Sequence, residues 1–449
     1  MDTLKRIEDG KEFAFVYDEV TNLAAQFQSG LEMVGSSLGR DLSAAGVSGV
    51  GPMRIFFATD QFLPHAGGSR VYYYNLYKNL SAEFGDRIIL LTKKVAGWQD
   101  FDQQEGTHSF KIVRRFRPVL TTKYRDLPKM VLPVPDMLWI LLKERVDVLH
   151  AGDLFPQGLI SLALKRALGI PYLMYCHGEI AQTNCYRYKP VVRDWIYKQA
   201  DAVVANSEFT RQDLLRVGVR SERIFKITPG VDCERFSPRP PDRNLIEKFR
   251  LEDKQVLLTV ARLCPRKGHD VVMQAVARLS RDFPKLRYLV VGKGPEEKNL
   301  RRLAAELGIA DIVTFVGYVA EEQLASWYNV CDIFVMPNRA DGKDGDIEGF
   351  GMVFLEANSA GKPVIGGRSG GAAEAVADES TGFLVDPESV EDTVTKLRLL
   401  LLSPSLRAEM GERGLLRARG EFNWRVRSRL LRQITADIVR RRRTTSNGC

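Results

Sequence analysis

The stretch Asp344–Val376, DGDIEGFGMVFLEANSAGKPVIGGRSGGAAEAV, holds among its acids Glu348 and Glu356, with seven residues between them. A Gly-Phe-Gly turn follows Glu348, then a short apolar run, a Pro-led strand and a second turn at Gly370-Gly371. Just upstream, DIFVMP (Asp332–Pro337) reads as a buried strand, so Glu348 falls in the loop beyond that strand's carboxyl end. Parallel α/β sheets bind ligands there. The pattern predicts a helix starting near Gly349 or Phe350, with Glu356 about two turns along it. At ~1.5 Å rise per residue the carboxylates are then on the order of 12 Å apart. That span suits two ends of one extended polar ligand better than a metal site or an acid/base pair on one bond. The competing reading is a surface turn followed by a solvated helix Glu.

Outward from this stretch the chain repeats one theme. Apolar runs RIFFAT, RIILLT, FKIVRR, VDVLHA, PYLMYC, DAVVAN and RIFKIT precede the Pro- and Arg-rich segment Phe236–Asn244. After it come QVLLTVAR, RYLVVG, IVTFVG, DIFVMP, PVIGG and GFLV. Short apolar runs separated by helix-length segments predict mainly parallel sheets covered on both faces. The expected organisation is an extension over 1–52, an α/β domain over 53–236, a second over 237–420, and a C-terminal helix with a basic tail over 421–449. Trp424, Leu430, Leu431, Ile434 and Ile438 share one helical face of that last segment, which predicts docking onto the body of the protein.

Totals narrow the class. A chain of 449 residues exceeds what one core sustains, and 45% hydrophobic with 27% charged residues is ordinary globular composition. No apolar run approaches the ~18 residues of a membrane span. The opening residues lack the apolar core of a signal peptide, and the six cysteines show no C-x-x-C pair. Both point to reduced thiols and a cytoplasmic location. The net charge of +9 is concentrated at the end: from Arg407 onward there are twelve Arg against four acids. Together with Lys111–Lys129, this basic surface makes an anionic membrane a candidate peripheral partner; no nucleic-acid motif is present.

Several loops at predicted strand ends carry ligand-binding chemistry. Asp60–Gly68 (DQFLPHAGG) ends in Gly67-Gly68 before a helix, leaving amides and a positive helix end for a phosphate. Arg262 and Lys267, five apart in RLCPRKGHD, can both reach one pyrophosphate. Gly292-Lys293-Gly294-Pro295 superficially resembles a dinucleotide fingerprint, but Glu297 stands where its third glycine belongs. It reads as a tight turn lining the cleft. His177, in CHGE after PYLMYC, is the best placed histidine; His65 has weaker context.

Assembled, these pieces resemble the family 4 retaining glycosyltransferases of GT-B architecture, two Rossmann-like domains facing a cleft. The similarity runs from about Arg54 to Val439. Its most specific part is the Glu-seven-Glu motif Glu348–Glu356, supported by PHAGGS, ARLCPRKG, GKGP, the His-Gly pair and TPGVD. The resemblance implies that Arg262 and Lys267 hold a donor diphosphate beside the amides of Gly67 and Gly68. It places Glu348 on hydroxyls of the transferred sugar, near the amides of Phe350, Gly351 and Met352. Glu356 falls on the nucleotide ribose, Gly317, Tyr318 and Val319 by the nucleobase, and His177 against the reacting sugar. It further implies a hexose moved with retention from a GDP- or UDP-sugar to a glycan or lipid-linked acceptor, with no metal and no other cofactor. Asp344-Gly345-Asp346 spells D-x-D but reads as a loop feature. The wording of the opening stretch is most similar to GDP-mannose-dependent alpha-mannosyltransferases, from which Ala373 departs where that subgroup has Pro. The same fold also admits two alternatives, a sugar-nucleotide epimerase or hydrolase and a non-catalytic sugar-nucleotide-binding protein.

Overall fold

The computed structural model describes residue 21 and residues 51–64, 67–105, 110–116, 134–178, 180, 190–340 and 347–446. The expected extension up to residue 50 (Thr21 apart), His65, most of the Lys111–Lys129 segment and Asp344–Asp346 lie outside them.

Thirteen strands form on the thirteen apolar runs. The first sheet comprises β1 (Arg54–Ala58), β2 (Arg87–Lys93), β3 (Phe110–Phe116), β4 (Val148–Ala151), β5 (Tyr172–Cys176), β6 (Ala202–Ala205) and β7 (Ile224–Lys226), in the order β3-β2-β1-β4-β5-β6-β7. The second comprises β8 (Gln255–Val260), β9 (Leu286–Val291), β10 (Val313–Gly317), β11 (Ile333–Met336), β12 (Val364–Gly367) and β13 (Gly382–Val385), in the order β10-β9-β8-β11-β12-β13. Every pairing within these sheets is parallel. Helices cover both faces, so strands bury side chains in both directions. In β1, Ile55 and Phe57 enter one core while Phe56 and Ala58 enter the other.

Strand order decides where ligands can go. In the first sheet the order reverses between β1 and β4, and in the second between β8 and β11. At such a switch point the loops diverge to opposite faces and leave a crevice at the strand ends. Six helices carry the rest of the argument: α1 (Gly68–Phe84), α2 (Glu208–Arg216), α3 (His269–Leu279), α4 (Met352–Ser359), α5 (Ala372–Ala375) and α6 (Trp424–Ser446).

The chain crosses from one sheet to the other at Gly230-Val231, upstream of the Pro-rich linker, and Phe236 is already part of the second core. It crosses back at Phe422–Trp424, alongside the first crossing, with Val231 N–H donating to the Phe422 carbonyl at 2.9 Å. A side chain at 230 would strike the Trp424 ring, its Cβ falling 2.7 Å from Cδ2. α6 then lies on α1 of the first domain. Trp424, Leu431, Ile434 and Ile438 enter that domain's core, but Leu430, expected on the same face, is 36% exposed. Neighbouring residues on a helix point about 100° apart, so Leu430 and Leu431 cannot both face so narrow a contact.

A buried polar chain sets the register of this docking. Thr435 Oγ1 donates to the Leu431 carbonyl at 2.7 Å and lies 3.3 Å from His150 Nε2. Since the threonine proton is committed, His150 Nε2–H must donate to Thr435, and Nδ1 accepts from Tyr77 O–H at 2.7 Å. Tyr77 in turn accepts from Tyr175 O–H at 3.0 Å. Burial pushes His150 down to about 3, so the ring is neutral at pH 7. Thr435→Val removes the hydroxyl at nearly constant volume and leaves a buried N–H unpaired. We expect a loss of roughly 1–3 kcal/mol of stability, measured by urea unfolding, with little change in secondary structure by circular dichroism.

Candidate active site

The loops after β8 and β11, at the switch point of the second sheet, meet at Glu348. Lys267 Nζ lies 2.5 Å from Glu348 Oε2, and Arg266 Nη1 pairs with the same oxygen. All three side chains are largely withdrawn from solvent, at 10%, 20% and 13% exposure for Lys267, Arg266 and Glu348. Burial alone pushes the Glu348 carboxyl up, but the Lys267 and Arg266 charges and their hydrogen bonds outweigh it and hold the group at about 2. Glu348 is therefore a fixed anion between two cations.

Backbone packing explains why glycine surrounds it. Gly371 N–H donates to the Glu348 carbonyl at 2.9 Å. A Cβ at Gly370, which has φ of 60°, would fall 2.3 Å from that carbonyl, and one at Gly371 would fall 2.1 Å from the Gly349 carbonyl. The second glycine turn of the opening stretch thus clamps the first. Gly351 adopts φ of 90° at the start of α4 and supplies no side-chain cap, so the first amides of that helix keep their unsatisfied donors and positive end. The helix begins at Met352, not near Gly349 or Phe350. The left-handed turn at Gly351 and the burial of Phe350 against Phe422 delay it, so Glu356 stands about one turn into α4 instead of two.

Glu356 has a different environment. Tyr328 O–H donates to its Oε2 at 2.6 Å. Burial pushes the carboxyl up to about 7, against the Tyr328 hydrogen bond that lowers it. It borders a cavity of about 290 Å³ between the two domains, whose opposite wall is the Val71, Tyr74, Asn75 and Lys78 face of α1.

The first domain faces this arrangement from across the cleft. Gly67 and Gly68 are exposed at the start of α1, and a Cβ at Gly68 would sit 3.8 Å from Met352 Sδ at the start of α4. Two helix amino ends thus come together. His177, just after β5, is partly buried, and its carbonyl abuts Gly349, where a Cβ would fall at 2.7 Å. Glu374 of α5 accepts from the Glu208 N–H at the start of α2 and from Lys226 Nζ at 3.1 Å, a further contact between the domains.

Arg262 does not join the cluster. It is exposed just beyond β8, and among the described residues its side chain makes no hydrogen bond or ion pair. Arg266, which the sequence reading did not single out, stands with Lys267 beside Glu348. Both lie on the 3-10 turn at 265–267, and their long side chains converge on one Glu348 oxygen, a meeting that sequence spacing does not reveal. Gly317, Tyr318 and Val319 lie on the neighbouring rim. The Gly317 carbonyl accepts from Gly292 N–H at 2.8 Å, Tyr318 is 60% exposed, and Val319 packs on the second core. The Gly292–Gly294 turn is a close-packing device: Cβ atoms there would fall 2.0 and 2.1 Å from the Ala261 and Leu263 carbonyls.

Two family models match in tandem, "Glycosyltransferase Family 4" over residues 66–235 and "Glycosyl transferases group 1" over 242–417. The chain is 30% identical over 390 residues to the GDP-mannose-dependent alpha-(1-6)-phosphatidylinositol monomannoside mannosyltransferase of Mycolicibacterium smegmatis, covering 85% of this chain and 97% of that one. The chain belongs to glycosyltransferase family 4. Another member, D-inositol 3-phosphate glycosyltransferase 2 of Catenulispora acidiphila, is 32% identical over 408 residues, 84% of this chain and 90% of the relative. Among solved structures, a glycosyltransferase from Rickettsia africae superposes with a TM-score of 0.72 at 19% identity, covering 86% of this chain and 99% of its own. Anabaena Alr3699/HepE in complex with UDP and glucose gives 0.71 at 19% identity, over 86% and 100%. These likenesses establish the two-domain GT-B fold, and the chain is a glycosyltransferase. Among the described residues no helix is long and apolar enough to cross a membrane.

For this family 4 enzyme the raised carboxyl of Glu356 has a measurable consequence. Its folded value of about 7 lies above the ordinary 4.5, so the folded state favours the protonated form and loses stability as pH rises through that interval. We expect Glu356→Gln to melt several degrees above wild type at pH 8. The difference should shrink toward zero near pH 4, as followed by differential scanning fluorimetry.

Proposed function

We propose that this enzyme transfers mannose, with retention of configuration, from GDP-mannose to a hydroxyl of a glycan or lipid-linked polyol acceptor without a metal ion. The observation that carries the reading is the charge arrangement at the second switch point. Lys267 and Arg266 are held by Glu348 within a loop junction that also meets the amino end of α4, the exposed Gly67-Gly68 turn and the carbonyl of His177. Two cations and two helix ends can neutralise a leaving diphosphate, and Arg262, exposed just beyond β8, is a third cation able to turn toward it. The named activity of the Mycolicibacterium relative supports the mannosyl donor and the lipid-linked acceptor class. UDP remains the competing nucleotide.

In this reading the bond from the sugar's anomeric carbon to the β-phosphate oxygen breaks, and its electrons stay on the diphosphate. The acceptor oxygen forms the new bond on the same face of the sugar, and its proton passes to the departing phosphate oxygen. Lys267, Arg262 and the amides of Gly67 and Gly68 stabilise the leaving charge. Glu348 orients sugar hydroxyls, with the amides of Phe350, Gly351 and Met352 beside it. Glu356 takes the ribose, Gly317, Tyr318 and Val319 border the base, and His177 approaches the sugar. None of these groups need move far, which favours positioning as the main source of rate. An acceptor carried on lipid also calls for peripheral contact with an anionic bilayer at the cytoplasmic face. The exposed Arg440 and Arg441 at the end of α6 suit that contact.

Two measurements test this. Thermal-shift titration with GDP, UDP and ADP should show the largest stabilisation with GDP; saturating ligand at ~100 times its dissociation constant adds about 2.7 kcal/mol. Lys267→Ala and Glu348→Ala should each lower kcat for GDP-mannose transfer by roughly 10²–10³ while the proteins remain folded, and EDTA should leave wild-type turnover unchanged. Near wild-type rates in both variants would remove the site assignment, and free epimerised sugar released without acceptor would replace transfer as the reaction.

A further inference from the structure

Arg114 of β3 keeps a full charge almost out of water, with 1% of its side chain exposed. Its planar fork meets Asp102 of the helix Trp98–Glu105, Nε donating to Oδ2 and Nη2 to Oδ1, both at 2.8 Å. The same guanidinium reaches two main-chain carbonyls. Nη2 donates to Leu63, in the loop after β1, at 2.7 Å, and Nη1 donates to Lys93, the last residue of β2, at 3.1 Å. One side chain thus ties three separate segments to β3. An ammonium has three donors and no fork, so lysine cannot hold both carboxylate oxygens and both carbonyls at once.

The tied segments shape the space between the domains. Leu63 and Pro64 line the interdomain cavity of about 290 Å³, and so does Phe101, the residue before Asp102. Glu356 of the second domain borders the same cavity. The loop after β1 is also held at Gln61 and Phe62. Arg70 Nε of α1 donates to Gln61 Oε1 at 3.2 Å, and the buried Phe62 ring meets Tyr74 and Phe101 edge-on with centroids 6.3 Å away. A buried ion pair gives little net stability, because the loss of hydration offsets the attraction. What this one fixes is arrangement.

We infer that Arg114 is a positioning residue for the nucleotide donor: its fork holds the Leu63–Pro64 loop and the Phe101 helix as one preformed wall of the cavity that receives the nucleoside diphosphate. A wall ordered before binding spares the complex the cost of ordering it. The inference rests on the proposed reading in which Glu356 takes the donor ribose, which makes this cavity part of the donor site.

Arg114→Lys keeps the charge opposite Asp102 and removes the fork, while Asp102→Asn keeps the volume and weakens the fork from the other side. Titration calorimetry with GDP, and with UDP in parallel, should show affinity falling about tenfold in Arg114→Lys and less in Asp102→Asn. In transfer assays the KM for GDP-mannose should rise by a similar factor while kcat stays within about twofold. Thr435→Val, which loosens the same domain away from this wall, should bind the nucleotide like wild type. Unchanged GDP and UDP affinity in folded Arg114→Lys and Asp102→Asn, with binding lost in Lys267→Ala, overturns the inference and leaves the donor site standing. Equal weakening in Thr435→Val also overturns it, because the effect is then one of general stability. Undiminished binding in Lys267→Ala overturns the proposed donor site, and with it this role for Arg114.

Discussion

Glu348 is the interaction on which the rest of the cleft depends. Two cations on adjacent residues, Arg266 and Lys267, share one of its oxygens where water is largely excluded. Without the carboxylate they would repel each other in a medium that screens poorly. With it, both are pinned and the carboxyl is held at about 2. Removing one partner from a pair so placed strands the opposite charge, which costs several times what the pair contributes net. Cations ordered in this way need little reorganisation to meet an anionic ligand.

That carboxylate can be where it is because backbones touch around it. Gly370 and Gly371 lie against the carbonyls of Glu348 and Gly349, and Gly349 lies against the carbonyl of His177. A methyl group at any of these positions would force the loops apart by more than the tolerance of a catalytic hydrogen bond. The same contacts make the two domains meet at the Glu348 loop, while the Glu374 contact with α2 and Lys226 joins them on one side.

The first domain answers with hydrogen-bonded polar groups buried in its core. Tyr175, Tyr77, His150 and Thr435 form one directional hydrogen-bond chain, and Tyr73 with Gly152 and His177 forms another. Fully satisfied buried networks of this kind specify one arrangement more strongly than apolar contacts, because any shift leaves a polar atom unpaired. The first chain sets the register of the returning helix α6 and the second orients His177. Tyr175 belongs to the first chain and stacks on the histidine oriented by the second.

Much of this was readable in the residues alone. The thirteen apolar runs determined the thirteen strands, because a strand buried on both faces is apolar throughout and little else of that length is. The glycine turns at strand ends and the paired glutamates located the candidate site at a parallel sheet's carboxyl edge, where such sheets bind ligands. Tertiary structure decided the partners. That Arg266 and Lys267 both meet Glu348 depended on one 3-10 turn at 265–267 and on a loop some eighty residues away, and local spacing contains neither. The start of α4 depended on a left-handed Gly351 and a buried Phe350, and the facing of Leu430 on the width of the α1 contact. The partners of the Tyr73 hydroxyl, Gly152 and His177, were likewise beyond sequence reading, because a hydroxyl's role is set by what stands opposite it. Periodicity encodes which face is buried; it does not encode which atom a buried oxygen will meet.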